Sequence, residues 1–472
     1  MSTDASPRRV QALRRHRRAY LVSFAVVLAV LVLGGTVAGA VGAAQGPRVT
    51  GVEFDPEAAV SASGSRLILT ANQSLAEVDP AQVRVRPAAD ITVETSGRSV
   101  GIRFALPLRD DTEYTVTIDG VTAIGGSVAS TFEESVRTPP LEVFLLQRGA
   151  GTDTVFRSDL SGEDAVPVFT RPHIEDFRAT AQHLVMSVRG EDGTPELIVT
   201  DPAGEGARAL PLPGAGAVQD LQTADRGEAI GYTYTDPDMS APGARGSVLY
   251  IASLADAAAE TPPVPVEVAG EPVSVAQWRF VPDTDSLLLL TFEGRLLLTA
   301  SAGADPVDLG AAAQLEGIAR GSAEAIDLRA DGLVTLDLTD GTEQSLVAAT
   351  GTTGFLGRVV PLTDGATLRQ YTEPAGEAGG GGTTLYLVDA AGAATPVFAV
   401  QGTSALLQTC VSPSGRYAAM LVQPDAATNP YVTGYDLPLP ERVETHIVDL
   451  DDGEEISSLG AFDISWCQVP LR

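Results

Sequence analysis

Ala405–Gln423 reads ALLQTCVSPSGRYAAMLVQ, and Glu444–Ile456 reads ETHIVDLDDGEEI after a polar loop. The first stretch is an apolar run that stops at Ser-Pro-Ser-Gly and resumes at Tyr417. The second is a further apolar run that turns at Asp452-Gly453. Each run is of strand length and is bounded by residues that favour turns, so together they predict most of one four-stranded antiparallel sheet. Weaker copies of the same pattern lie upstream, and the rest of the chain is read from them.

The repeat is clearest where a first strand meets its turn. Val275–Pro282 reads VAQWRFVP, Asp463–Pro470 reads DISWCQVP, and Leu407–Pro413 reads LQTCVSP. Trp278 falls on Trp466, Cys410 on Cys467, and Pro282, Pro413 and Pro470 coincide. Fainter echoes surround Ala181, Asp225, Gly321 and Pro361. From 181 to 470 the intervals are 44, 57, 39, 40, 52 and 57 residues. A period of about 40–50 residues is that of a β-propeller, with four strands to a blade. Seven starts predict seven blades, with six or eight still open. Leu141–Thr170 supplies three strands (LEVFLLQ, TVFRSDL, AVPVF) before the first repeat, and Phe462–Cys467 is expected to be an inner strand with nothing after it. Joined, the two ends complete one blade and bury edges that would otherwise invite aggregation. SPSGRYAAMLV resembles the blades of TolB-like and WD-type propellers, in which a Ser-Pro-Asp-Gly turn leads into the second strand. Here Ser414 stands in place of the Asp, and most other blades lack the motif. The resemblance implies the fold and no particular partner.

Residues 47–140 change to short alternating runs. Val49–Phe54, Arg66–Thr70, Gln82–Arg86, Ile91–Thr95, Ser99–Phe104, Glu113–Ile118 and Ser130–Val136 are each of strand length, with turn pairs such as Asp55-Pro56 and Ser96-Gly97 between them. Seven short strands in this span predict an Ig-like β-sandwich. VDPAQVRVRPA, LPLRDDTEYTVTIDGV and TFEESVRTPP resemble the bacterial Ig-like domains of surface-layer and other cell-wall proteins. That resemblance implies a spacer or an adhesive module. The Cys…Trp…Cys pattern of antibody domains is missing.

Tyr20–Ala44 contains 25 uncharged residues and follows six arginines (Arg8, Arg9, Arg14, Arg15, Arg17, Arg18). A bilayer needs about 20 apolar residues as a helix. The basic flank would stay in the cytoplasm. We therefore expect a cytoplasmic tail over 1–19, an uncleaved signal-anchor over 20–44, and the remainder outside the cell membrane. A cleaved secretory signal is the competing reading, but its apolar region runs to only about 7–15 residues. The chain carries a net charge of −30, contains no lysine, and is net −35 beyond the apolar segment. Such a surface repels phosphate backbones and argues against nucleic acid. The arginine-only basic content and the Ala, Gly and Asp excess look like a high-GC genome, in keeping with an envelope protein of high-GC Gram-positive type.

Cys410 and Cys467 are the only cysteines. Outside the membrane two cysteines usually pair. Buried thiols are the other reading, since matching inner-strand positions can exceed the Cα separation of about 7 Å that a disulfide tolerates. No cofactor or metal site is expected. No α/β segment of serine-hydrolase size remains, zinc-helix and phosphate-loop motifs do not occur, and the acidic run Asp449–Glu455 lacks the alternating spacing of a calcium loop. Gln277, Trp278, Arg279 and Trp466 are candidates for binding at the channel mouth, although aromatics at one repeat position usually pack between blades. The expected function is a non-catalytic, membrane-tethered scaffold that presents a propeller to a protein or a cell-wall glycan. The alternatives are a propeller lyase or glycan hydrolase with carboxylates at the channel mouth, or a TolB-like assembly factor.

Overall fold

In a computed structural model the described residues are 46–471 apart from 191, 225–228, 283, 301–304 and 375–380, together with 22, 24 and 26–29. Most of the expected signal-anchor lies outside them. Among the described residues no helix is long and apolar enough to cross a membrane. The chain divides into two compact units, one of 1–54, 66–103 and 114–136, the other of 55–65, 104–113 and 137–472.

The first unit is built of β1 (Val49–Glu53), β2 (Arg66–Ala71), β3 (Val83–Arg86), β4 (Ile91–Ser96), β5 (Ser99–Phe104), β6 (Glu113–Val121) and β7 (Ser130–Arg137). One sheet has the order β1-β2-β5-β4 and the other β3-β6-β7. β1 with β2, β2 with β5 and β3 with β6 pair antiparallel. Alternate residues are buried, Leu67, Leu69 and Ala71 on β2 and Val116 and Ile118 on β6 among them, as the two-residue period of a half-buried strand requires.

The second unit is all-β apart from short helical turns. One of these departs from the sequence reading. Asp55-Pro56 does not make a simple turn but starts the helix Pro56–Ser61, with the Asp55 carboxylate accepting from the N–H groups of Glu57 and Ala58. Proline fits the first helical position, where its missing N–H costs nothing. Six four-stranded antiparallel sheets then follow one another, spanning Ile174–Leu210, Ala217–Pro265, Val275–Ala311, Gln314–Ser345, Phe355–Gln401 and Ala405–Leu459. A further sheet of β8 (Val143–Gln147), β9 (Asp153–Ser158) and β10 (Val166–Arg171) precedes them. Its fourth member comes from near the C-terminus, where Phe462 and Leu146 exchange backbone hydrogen bonds of 2.9 Å. The expected strand Phe462–Cys467 is shorter than its sequence suggests. Its strand pairing is confined to Phe462, because Asp463 takes a left-handed φ of 53° and the chain turns at Ser465-Trp466, where the Ser465 N–H makes one further bond to the Phe144 carbonyl (2.9 Å).

Successive sheets pack face to face, and this makes the unit a β-propeller. Leu197 and Val199 of the first sheet meet Tyr232 and Tyr250 of the second. Leu249 of the second meets Trp278 and Leu289 of the third, and Leu288 of the third meets Leu315 and Leu336 of the fourth. Leu368 and Leu385 pack on Met420 and Val448, and Tyr417 and Ile447 on Val143 and Leu145. Phe144 and Leu146 of the β8–β10 sheet pack against Ile174 and Phe177 of the first four-stranded sheet. The second strands of the first, third and sixth four-stranded sheets are buried on both faces, and their sequences are mostly apolar (LVMSVR, SLLLLT, YAAMLVQ). The fourth strands are short or exposed, which blunts the outer edges.

Candidate functional site

The first strands of the six sheets share an irregularity. Their pairing slips between Ile174 and Asp176, Gln219 and Gln222, Val275 and Gln277, Leu315 and Gly317, Leu356 and Val359, and Leu406 and Gln408. These are β-bulges, which bend a strand and re-aim side chains. The residues they leave out of the pairing include Glu175, Asp220, Glu316, Arg358 and Leu407.

Polar side chains link the first strands of the first five sheets, each to the next, and the sixth to the C-terminal segment. Arg178 Nε donates to the Leu221 carbonyl (2.8 Å), Gln222 Nε2 to the Trp278 carbonyl (3.0 Å), and the Leu315 N–H to Gln277 Oε1 (2.6 Å). The Val359 N–H donates to Glu316 Oε2 (3.2 Å), and Gln408 Nε2 to the Val469 carbonyl (3.2 Å). The closing segment is tied back to the first sheet by Arg178, whose Nη1 lies 3.0 and 2.9 Å from the two Asp463 oxygens. The same nitrogen is 2.9 Å from Asp176 Oδ1. Burial pushes the Asp176 carboxyl well above its ordinary range, Arg178 pulls it the other way, and Asp463 adds to the rise.

A cavity of about 100 Å³ opens among the later first strands and the C-terminal residues. Three bulge residues, Glu316, Arg358 and Leu407, line it, with Arg279, Arg320 and Trp466. Arg279 Nη1 donates to the Trp278 carbonyl (2.6 Å) and Arg320 Nη2 to that of Trp466 (2.9 Å). Glu316 also accepts from Gln314 Nε2 (2.8 Å). Burial raises the Glu316 carboxyl, opposed by the Val359 N–H and by the Arg358 and Arg279 guanidiniums.

The sequence candidates separate. Arg279 and Trp466 line the cavity, whereas Gln277 bonds strand to strand and Trp278 is wholly buried in the packing between the second and third sheets. Cys410 and Cys467 form a disulfide with a Cα separation of 5.1 Å, beneath Trp466 and Tyr417, whose rings stack at 6.2 Å. The bulge residues Glu316 and Arg358 were not singled out in the sequence. Of the histidines, His173 Nε2 lies 2.7 Å from Glu175 with its ring stacked on Tyr435, and His446 Nδ1 lies 2.7 Å from Glu455. Among the described residues no group of three or more His, Cys, Asp or Glu could hold a metal ion. The Asp449–Glu455 run forms a turn in which the Gly453 N–H bonds the Asp449 carbonyl.

No protein-family model and no curated protein matches this chain. The similar solved structures include an uncharacterized protein of Listeria monocytogenes (9% identity, 68% of this chain and 91% of that one, TM-score 0.42). They also include the β-propeller domain of Myceliophteria thermophila Cps50 (Swd1) (12%, 62% and 88%, TM-score 0.39). A putative TolB from Agrobacterium tumefaciens is similar at 13% identity over 68% of this chain and 90% of that one, with a TM-score of 0.34. The propeller assignment rests on the strand pairing and packing above.

Proposed function

We infer that the chain is a non-catalytic binding protein of the cell envelope, held by a signal-anchor over 20–44. The unit of β1–β7 is read as an Ig-like spacer of the surface-layer type. The seven sheets are read as one seven-bladed ring that presents loops and an axial cavity to an envelope protein or cell-wall glycan. The observation that carries this is the Cys410–Cys467 disulfide, which belongs to an oxidising compartment and agrees with the arginine-flanked apolar segment upstream. Rigid scaffolds that position loops and a pocket suit recognition. The acidic surface suits solubility outside the cell.

One observation favours an enzyme instead. Asp176 and Asp463 share Arg178, and a carboxyl raised by burial beside a second carboxyl is an arrangement used in acid–base chemistry. Arg178 and Asp463 are almost fully buried, so we read the trio as a tie between the first sheet and the closing segment. Capture with the full-length protein in mild detergent, after cross-linking on intact cells, tests the proposal. One stoichiometric envelope partner supports binding, including a TolB-like assembly role. Release of soluble products from purified cell-wall fragments overturns it. Protease treatment of intact cells should remove the propeller and spare the tail.

A further inference from the structure

The link between the second and third strands of the sixth sheet, Tyr417–Gln423 and Glu444–Asp449, is far longer than a turn between paired strands requires. The same connection takes residues 330–331 in the fourth sheet and 292–294 in the third, against 424–443 here. Loops beyond about 12–15 residues are uncommon in compact domains, and this one is ordered by its own bonds. At its base the buried Asn429 donates to the Pro424 carbonyl (3.0 Å) and the Arg442 carbonyl (2.7 Å), and accepts from the Arg442 N–H (3.1 Å). Further out, Tyr431-Val432 pairs with Leu439-Pro440. The excursion is thus a two-stranded arm.

Its tip reaches two other sheets. The Tyr435 hydroxyl donates to the two Asp153 oxygens (2.9 and 2.8 Å). The Tyr435 ring has the Arg148 guanidinium 3.5 Å from its centroid and the His173 ring stacked at 4.1 Å. Arg148 Nη1 donates to the Leu437 carbonyl (3.0 Å), and the Asp436 N–H donates to Glu175 Oε2 (2.9 Å). The Asp436 carboxylate pairs with Arg189 of the first sheet. Leu439 is buried with Leu146 of β8 and Ile174 of the first sheet. These contacts meet at Asp153, at the start of β9. Its wholly buried carboxylate accepts from the Gly149 N–H after β8 (3.3 Å), from the Ile174 N–H of the first sheet (2.8 Å), and from Tyr435. Burial, and then the Asp153 carboxylate, pushes the Tyr435 phenol up to about 12, so it remains a donor. A buried carboxylate is costly unless its donors are in place, so this one favours the arrangement that holds all three sheets together.

We propose that residues 424–443 form a clasp that fastens the sixth sheet to the first across the β8–β10 sheet, with Tyr435 as its catch. The clasp acts whatever the propeller recognises. The C-terminal segment pairs with β8 at Phe462, which gives the β8–β10 sheet little hold through strand pairing, and the first sheet meets it by face packing. Apolar packing is non-directional, whereas the bonds at Asp153 and Glu175 fix one position of the sheets. The tip contacts lie in two sheets and the base lies in a third. Releasing the tip therefore frees the junction without breaking the ladder of any sheet, and the junction opens as a local unit ahead of the rest of the propeller.

Hydrogen exchange of the full-length protein in detergent, read by mass spectrometry, tests this. Peptides over 143–158 and 174–179 report the junction, and 286–300 in the third sheet serves as the reference. Tyr435→Phe keeps the ring and removes the bond to a charged acceptor, and exchange in both junction peptides should quicken about tenfold or more. Asn429→Ala alters bonds that lie within the arm, and it should quicken the same two peptides because a slack arm cannot hold its tip. The reference peptide should keep its wild-type rate in both variants. Exchange that changes only within 424–443 overturns the proposal, since the excursion would then decorate the sixth sheet alone. Equal quickening in 286–300 also overturns it, since Tyr435 would then be an ordinary contributor to global stability. An Asn429→Ala protein whose junction exchanges like the wild type does the same, because the arm would not be what carries the contact.

Discussion

Removing the disulfide is the sharpest test of how the C-terminal segment is held. Cys410 and Cys467 are 57 residues apart. In the chain-entropy model a loop of that length lowers the entropy of the unfolded chain enough to stabilise the fold by about 4 kcal/mol. Cys410→Ala with Cys467→Ala should therefore lower the free energy of unfolding by about that amount, and reduction of the wild-type protein should do the same. The closing segment keeps its other ties: the Phe462–Leu146 bonds, the Arg178–Asp463 pair, and the Gln408 and Arg320 bonds to the Val469 and Trp466 carbonyls. The variant should consequently fold, and its native hydrogen exchange should quicken first at Phe462 and Cys467 and least in Leu287–Leu290. Urea unfolding followed by tyrosine and tryptophan emission gives the free energy. Because the loss acts through the unfolded state, the slope against urea should also rise as that state expands. A loss below about 1 kcal/mol with unchanged slope would refute the reasoning, since the bridge would then not be constraining the open chain.

Four further outcomes follow from the packing and the charges. Trp278→Ala should cost about 3–5 kcal/mol, read from the same urea curves, because the ring is completely buried between two sheets. Gly231→Ala places a methyl 2.8 Å from Ile251 Cδ1 and nearer still to the Trp278 ring, and overpacking of that kind should cost about 1–3 kcal/mol. Arg178→Met leaves Asp176 and Asp463 without their cation, for a loss of about 3–5 kcal/mol. That loss should shrink as pH falls, because Asp176, already raised by burial, takes up a proton and no longer needs the cation. Asp327, buried beside Arg329, has its carboxyl pushed up to about 6 by burial. A raised carboxyl adds stability that is fully present below its unfolded value and lost as pH climbs through 6. Asp327→Asn should therefore flatten the stability profile between pH 4 and 7, by up to about 3 kcal/mol in denaturant titrations at the two ends.

Much of the propeller could be read from local pattern. Each of the first six repeat phrases falls at or just after a first strand, from Ile174–Ala179 through Ala405–Val411. LEVFLLQ, TVFRSDL and AVPVF correspond to β8, β9 and β10. The pairing of Cys410 with Cys467 followed from their being the only two cysteines of a chain read as extracellular, and the 5.1 Å separation removes the objection raised by their matching repeat positions. The helix at Pro56 had its signals in plain view, an Asp cap and a first-position proline, but Asp-Pro is equally a turn pair. Trp278 and Trp466 show the limit of alignment. They hold the same repeat position, yet one lies between two four-stranded sheets and the other where the last sheet has only a short closing segment, so only the second meets the cavity.

The cavity itself could not be read, and the bulges explain why. A strand that keeps its two-residue period shows which side chains share a face, but one extra residue reverses the faces beyond it. Glu316, Arg358 and Leu407 are such extra residues. In sequence they interrupt three unrelated runs, QLEGI, FLGRVVP and ALLQTCV, and nothing in those runs says that they converge. The slip also takes backbone N–H groups out of the ladder near the axis, and the neighbouring blade's side chains satisfy some of them, as Glu316 does for Val359 and Gln277 for Leu315. An unbonded buried N–H would cost about 1–3 kcal/mol, so a bulge in one blade calls for a polar residue in the next. Polar groups at the axis are thus partly a structural requirement of the ring. Arg358 and Leu407 answer no such requirement in the bonding described above, and that difference separates a residue that closes the ring from one left facing the cavity.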